Sequence, residues 1–322
     1  MKFSIVIPVY NVEKYLEQCL QSVKNQAFTD FEVICINDGS TDDSLKIIQD
    51  LSCADLQLKI INQENAGLSA ARNAGIRAAK GDYIFLLDSD DYIAENALEV
   101  LAKNIDNQDF IFFNGQRFFE NGHIETPDEN IFENRMTGWQ YYNKYALIQR
   151  KFHFVCAVLR LYRREFLIEN NLFFQQGIYH EDNLFTPICC YFAKNVKVIP
   201  DILYFYRIRE GSITQKANKK SIFDIVNVAN SLSEFFIAKN MDKSVIYREI
   251  AGEYFKGFMP DEIKKYGNND RQLRQQINWD YFKTVAQYRR HKTIYQLLKI
   301  GTVPFHWFLK LEKFGKCIIK HV

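Results

Sequence analysis

The chain has 322 residues, 47% of them hydrophobic and 25% charged, with a net charge of +2. This is the make-up of a folded protein of one large or two modest domains, which excludes a disordered chain and a globally basic nucleic-acid binder. Seven cysteines, odd in number and without a CxxC pair, point to a reducing compartment and away from a disulfide framework or a zinc site.

Residues 3–9 read as a strand, with no signal peptide before them. No apolar stretch reaches the roughly 18 residues that span a bilayer, so a cytoplasmic protein is expected. Asn11 is placed to cap a helix with an apolar face of Tyr15, Leu16, Cys19, Leu20 and Val23. A second strand, 31–36, ends in Asn37-Asp38-Gly39-Ser40, and Ser40 or Thr41 can cap the helix after it. A third, 58–61, leads through Asn65-Ala66-Gly67 into an alanine-rich helix over 68–79. A buried strand over 83–87 ends in Asp88-Ser89-Asp90-Asp91, and a helix over 95–105 and a strand over 110–113 follow. Strands alternating with helices of this length imply βαβ units and a mostly parallel α/β sheet.

Beyond residue 116 the alternation fades. Residues 117–134 read as loop, 139–150 as helical and 152–162 as partly strand. His180-Glu181-Asp182 precedes an apolar helix over 184–192, and 196–206 is extended. Past residue 219 the pattern is helical. The division expected is one domain over 1–215, in two parts that meet between 115 and 116, then a helical region over 216–322.

Three strand ends carry polar groups to one edge of the sheet: Tyr10-Asn11, Asp38-Gly39-Ser40 and Asp88 to Asp91. Ligands bind at that edge in open α/β sheets. Asp38 can accept hydrogen bonds from a nucleobase or a ribose, and Gly39 lets backbone approach a ligand. The acids of 88–91 read either as a solvated turn or as an oxygen site for a hard divalent cation. Arg72 is a partner for the ligand or for those acids.

The segments FSIVIPVYN, VICINDGSTDDS, NAGLSAARNAG and GDYIFLLDSDDY, in this order, resemble the family 2 glycosyltransferases of GT-A-type fold. The resemblance implies a catalytic domain over 1–215, with a nucleotide-sugar half to 115 and an acceptor half from 116, in which Pro8, Val9, Tyr10, Asn11 and Asp38 hold a nucleotide, with Arg72 close by. It implies that Asp88 and Ser89 face the ribose or diphosphate, and that Asp90 with Asp88 binds Mn²⁺ or Mg²⁺. Asp91 would assist or cap the next helix. Asp182 would be the general base, with Glu181 as the alternative, and Arg207 or Arg209 would clamp the diphosphate. The implied reaction is inverting transfer of one sugar from a UDP-sugar to a glycan or lipid-linked oligosaccharide acceptor, in lipopolysaccharide, capsule or a related polysaccharide. A QxxRW signature of processive synthases is absent. An oxidoreductase would need GxGxxG after the first strand. The first turn also lacks the basic glycine-rich loop of a nucleotidyltransferase. That class and a non-catalytic nucleotide-sugar-binding module stand as the alternatives.

Residues 289–322 hold eight Lys or Arg against one acid, Glu312, interleaved with Trp307, Phe305, Phe308 and Leu311. This composition fits an interfacial helix on anionic lipid, and equally a docked helix with a basic outer face. His153, His180, His291 and His306 have no metal-ligand spacing and are expected to be ordinary polar or packing residues.

Overall fold

Seven consecutive buried residues, β1 (Phe3–Val9), form the middle of a parallel set. A computed structural model describes residues 1–54, 58–127, 131–148, 154–209, 219–241, 244–256, 258–261 and 270–319. β2 (Phe31–Asp38), β3 (Leu58–Gln63) and β4 (Tyr83–Leu86) run parallel to β1 in the order β3-β2-β1-β4. Helices α1 (Glu13–Lys24), α2 (Ser44–Ala54) and α3 (Leu68–Ala78) connect them. Both faces of β1 and β4 are covered, which explains why these strands are continuously apolar rather than alternating.

Small residues set how closely α3 lies on this sheet. A Cβ on Gly75 would stand 2.2 Å from Val6 Cγ1 and 2.9 Å from Ile36 Cδ1. The helix axis therefore comes within reach of the strands only because position 75 has no side chain.

The second half of the sheet is mixed. β5 (Tyr92–Ile93), β6 (Phe110–Phe119), β7 (Ile124–Glu125), β8 (Glu133–Met136), β9 (Arg160–Arg163) and β10 (Val196–Ile208) complete ten strands. β9 inserts antiparallel between β4 and β6, β10 pairs parallel with β6, and β5 pairs antiparallel with β10. Strand β6 runs six residues past the end expected at 113, and β7 and β8 occupy part of the segment read as loop. The apolar run stops at Phe113, but Asn114, Gly115 and Gln116 keep their ladder with β10. The helical expectation for 139–150 resolves into a turn of α-helix, α5 (Gly138–Tyr141), and a π-helical stretch, Tyr142–Ile148; residues 149–153, including His153, lie outside the described residues. Helices α4 (Ala97–Asn104), α6 (Arg164–Glu169) and α7 (Glu181–Phe192) flank this half.

Contacts divide the chain into two compact units, one of Met1–Gly177 with Glu181–Ser212, the other of Ile178–His180 with Ile213–Val322. The break expected near residue 215 falls within 210–218, outside the described residues. In the second unit, Ile222, Val226, Ala229 and Phe236 bury one stripe of Lys219–Ala238, and Tyr254 stacks on Phe282 at 4.6 Å. His180 Nε2 lies 2.7 Å from Ser221 Oγ, and His306 Nε2 lies 2.8 Å from the Phe258 carbonyl, so both are engaged as polar packing residues. Among the described residues no helix is long and apolar enough to cross a membrane.

Candidate functional site

The carboxyl ends of β2, β1 and β4 are neighbours, so the three polar strand ends share one edge. Pro8 and Val9 are buried at the end of β1, and Tyr10 projects from it at 49% exposure. Asn11 takes a left-handed φ of 51°, a conformation asparagine tolerates better than most residues. Its Oδ1 accepts from the Thr41 amide at 2.8 Å. Asn11 thus ties the first loop to the second instead of capping α1, which begins after Val12 with no side-chain cap. The expected cap of α2 also differs. Asp42, not Ser40 or Thr41, accepts from the Ser44 amide at 3.0 Å, and its other oxygen accepts from the Glu13 amide.

Asp38 is almost fully buried and turned onto the loop before α3. Its Oδ1 accepts from Gln63 Nε2 at 2.6 Å and from the Ala66 amide at 2.9 Å, and its Oδ2 accepts from the Gly67 amide at 2.8 Å. Two backbone amides and a side-chain amide satisfy a buried carboxylate, and here they shape the loop that starts α3.

Each acid of the 88–91 turn has a different partner. Asp88 receives a two-oxygen contact from Arg72 Nη2, at 2.9 and 3.1 Å. Asp90 accepts from Arg209 Nε at 2.8 Å and keeps a side chain 22% exposed. Ser89 is buried between them. Asp91 is buried and pinned to β10, accepting from Tyr204 Oη at 2.7 Å and from the Arg207 amide at 2.7 Å. Asp91 does not cap the next helix, since α4 starts at Ala97. Burial and the mutual repulsion of the acids push Asp90 and, more strongly, Asp91 above the usual carboxylate range. Tyr204 Oη also accepts from the Asp88 amide at 3.1 Å, so one phenol fixes both ends of the turn.

Arg207 serves the same turn. Its Nε donates to the Asp90 carbonyl at 2.8 Å, and its guanidinium lies between Tyr15 and Phe118, 4.9 and 4.4 Å from the ring centres. The turn thus meets Tyr204 and Arg207 at the end of β10 and Arg209 just past it.

Arg72 joins this turn to Glu181 and Asp182. From the buried face of α3, its Nη1 donates to Glu181 Oε1 at 3.0 Å and stands 3.5 Å from Asp182 Oδ1, while Nη2 holds Asp88. Burial disfavours the guanidinium charge, but Asp88, Asp182 and Glu181 more than offset it and raise its pKa. Asp182 stands in the first turn of α7, whose amino end favours a negative charge. Its Oδ2 accepts from the Ala157 amide at 2.9 Å. That amide is aimed by Arg160, fully buried, which donates to the Cys156 and Phe154 carbonyls. Burial first, and Glu181 second, push the Asp182 carboxyl up to about 7.

A cleft of 350 Å³ opens beside these groups, with Arg117, Glu125, Thr126, Cys156, Val158 and Tyr204 among its walls. Cys156 and Val158 flank the amide that holds Asp182, and Tyr204 is the phenol under the acidic turn, so the cleft adjoins both acid groups. A smaller hollow of 260 Å³, lined by Lys2, Asp82 and Arg163, lies at the opposite, amino-terminal edge of the sheet, away from the acids.

The expected site residues thus divide. Arg72, Asp88, Glu181 and Asp182 are brought into direct contact, and Asp90 and Arg207 share the adjoining turn. Asp38 and Asn11 are engaged in shaping the loops of the same edge. Tyr204, Ala157 and Arg160 were not singled out from the sequence. An Arg within an apolar run, as Arg160 stands in VLRLY, is the signal that could have marked the third.

A family model described as "Glycosyl transferase family 2" matches residues 4–170. The chain is 33% identical over 220 residues to the "uncharacterized glycosyltransferase EpsJ" of Bacillus subtilis, covering 66% of this chain and 62% of that protein. It is 31% identical over 263 residues to the glycosyltransferase GlyG of Streptococcus pneumoniae, covering 76% and 83%. The chain thus spans under two thirds of the length of the first relative and most of the second. In structure it is similar to residues 1–349 of Staphylococcus aureus TarS in complex with UDP-GlcNAc, with a TM-score of 0.74 at 23% identity over 98% of this chain and 92% of that one. With the motif series, the acid-bearing edge and these matches in agreement, the chain belongs to glycosyl transferase family 2 and has its GT-A-type fold.

Proposed function

We propose that the protein is an inverting, metal-dependent glycosyltransferase. It would move a single sugar from a UDP-sugar to a hydroxyl of a glycan or lipid-linked oligosaccharide acceptor, in the synthesis of lipopolysaccharide, capsule or a related surface polysaccharide. One observation carries the reading: Arg72 brings Asp88, from the turn at the donor edge, together with Asp182, a carboxyl raised toward neutrality on α7.

On this reading the nucleotide lies along Pro8, Val9, Tyr10, Asn11 and Ser89, over the loop that Asp38 holds. Asp90, with Asp88 beside it, would hold Mn²⁺ or Mg²⁺. The donor set fits, because one or two carboxylates completed by diphosphate oxygens and water is the usual way Mg²⁺ is held at such sites. Bound there, the cation supplies positive charge against the departing diphosphate. Asp182 takes the proton from the attacking acceptor hydroxyl. Its raised pKa keeps it basic enough to do so near neutral pH. A single base and no intermediate imply attack opposite the leaving group, and hence inversion, by the geometric argument for inverting hydrolases. The cleft beside Cys156 and Val158 is the proposed acceptor side, since it flanks the amide that orients the base. The proposed compartment is the cytoplasm, consistent with free thiols at Cys19, Cys35, Cys156, Cys189 and Cys190.

UDP-GlcNAc is the first donor to assay, since the similar Staphylococcus aureus structure binds it. Asp182→Asn is expected to lower sugar transfer by about 10² to 10⁴ while UDP binding, followed by calorimetry, stays unchanged. Full turnover in that variant would remove the base assignment. A wild-type protein that binds UDP-sugars and never turns them over would instead be a binding module.

A further inference from the structure

The last two helices of the second unit bury part of their apolar residues and leave a group of them exposed. Helix Thr302–Ile319 docks through Phe305, fully buried, yet Val303, Trp307 and Leu311, spaced by four, stand 67%, 62% and 68% exposed. Ile300, at the end of helix Arg289–Ile300, is 74% exposed just before them. An ordinary surface helix turns polar residues to water on that face. Other exposed large hydrophobics of the chain, such as Met1, Phe132 and Ile168, are scattered through the sequence, whereas these four fall within one short stretch.

The charge around the stripe has one sign. Lys292, Lys299, Lys310 and Lys313 are exposed, and Lys310 Nζ lies 5.4 Å over the Trp307 ring. Glu312, the single acid in 289–322, is taken by Arg290 at 2.9 and 3.0 Å. A second copy of the chain seated on this stripe would oppose lysine to lysine. A tryptophan with aliphatic neighbours inside a lysine border matches instead the boundary of a bilayer, where apolar side chains enter and cations meet phosphate. We infer that the face formed by Ile300, Val303, Trp307 and Leu311 is a peripheral docking surface for an anionic phospholipid bilayer. The side chains of Phe314, Ile318, Ile319 and Lys320, further along the same basic tail, lie outside the described residues.

The test is co-sedimentation of the full chain with vesicles of phosphatidylglycerol and phosphatidylcholine, against phosphatidylcholine alone. Binding to the anionic vesicles is expected, weakening with salt. The double change Trp307→Asp and Leu311→Asp should weaken it by more than about tenfold. Lys310→Glu with Lys313→Glu should weaken it by at least about fivefold per lysine lost. UDP binding by the variants, which leave the acid-bearing unit untouched, checks that they are folded. No binding by the unaltered chain, equal binding to neutral vesicles, or binding that survives Trp307→Asp with Leu311→Asp would overturn the inference. So would a self-association, seen by sedimentation equilibrium, that those changes abolish without any effect on vesicles.

Discussion

Asp182 sits between two influences that act in opposite directions. Burial and Glu181 raise its pKa, while Arg72 and the Ala157 amide lower it, and the balance stands at about 7. A base works only when ionised, so kcat/KM is expected to rise with pH up to about 7 and then level off. Glu181→Gln removes a repelling charge and should shift that limb to lower pH, which a pH–rate profile will show. Stability runs the other way. A carboxyl with a raised folded pKa contributes most at pH below its unfolded value and loses that contribution as pH rises through the folded value. Asp182→Asn should therefore gain thermal stability relative to the parent chain above pH 7, even as it loses turnover. Arg72 makes a different claim. Removing it by Arg72→Gln leaves three carboxylates without their cation and should cost about 3–5 kcal/mol in a denaturant melt. Arg72→Lys keeps a charge but gives up the fork that spans the three acids, so it should recover only part of that loss. The acids and Arg72 were legible in the sequence because strand ends and small-residue helices announce themselves. Their division of labour was not. Asp91 looks like Asp90 in the sequence, and partners on β10 more than a hundred residues away, the Tyr204 phenol and the Arg207 amide, make Asp91 a buried anchor while Asp90 stays partly exposed.

Elements in the first half follow local pattern closely, because both faces of β1, β4 and most of β2 are covered and their apolar runs are therefore unbroken. The second half was harder to read. β6 continues through Asn114, Gly115, Gln116 and Arg117, whose ladder partners on β10 lie some ninety residues on, and no local pattern reports such a partner. β9 is only four residues long and carries Arg160, which by composition argues against a central strand. Helix α3 offers the sharper test of packing. Its approach to Val6 leaves no room at position 75, so Gly75→Val should destabilise the chain by about 1–3 kcal/mol or more, measured by chemical denaturation. Because α3 also carries Arg72, the same change should displace the guanidinium from Asp88 and weaken UDP binding. Gly252→Ala is a control for crowding, since nothing stands within 4 Å of a Cβ there and the backbone is helical.

At the scale of the whole chain, charge is segregated. The tail from Arg289 is strongly basic, so a nearly neutral total leaves the remainder acidic. The proposed donor edge shares that acidity. Asp88, Asp90, Glu181 and Asp182 gather there, and Arg72 and Arg209 are already occupied by them. A nucleoside diphosphate is itself anionic, so its arrival in such a place needs added positive charge or release of an arginine. Removal of divalent cations with a chelator is therefore expected to weaken UDP binding by more than about tenfold and to stop sugar transfer. Restoring Mn²⁺ or Mg²⁺ should recover both. In Asp90→Asn the added cation should no longer restore binding, since a carboxylate of the proposed cation site is gone. Calorimetry of UDP with and without the cation reads all three outcomes. Equal UDP affinity in chelator and in Mn²⁺ would mean that the arginines alone balance the diphosphate. Asp90 would then belong to Arg209, as part of the scaffold of the turn.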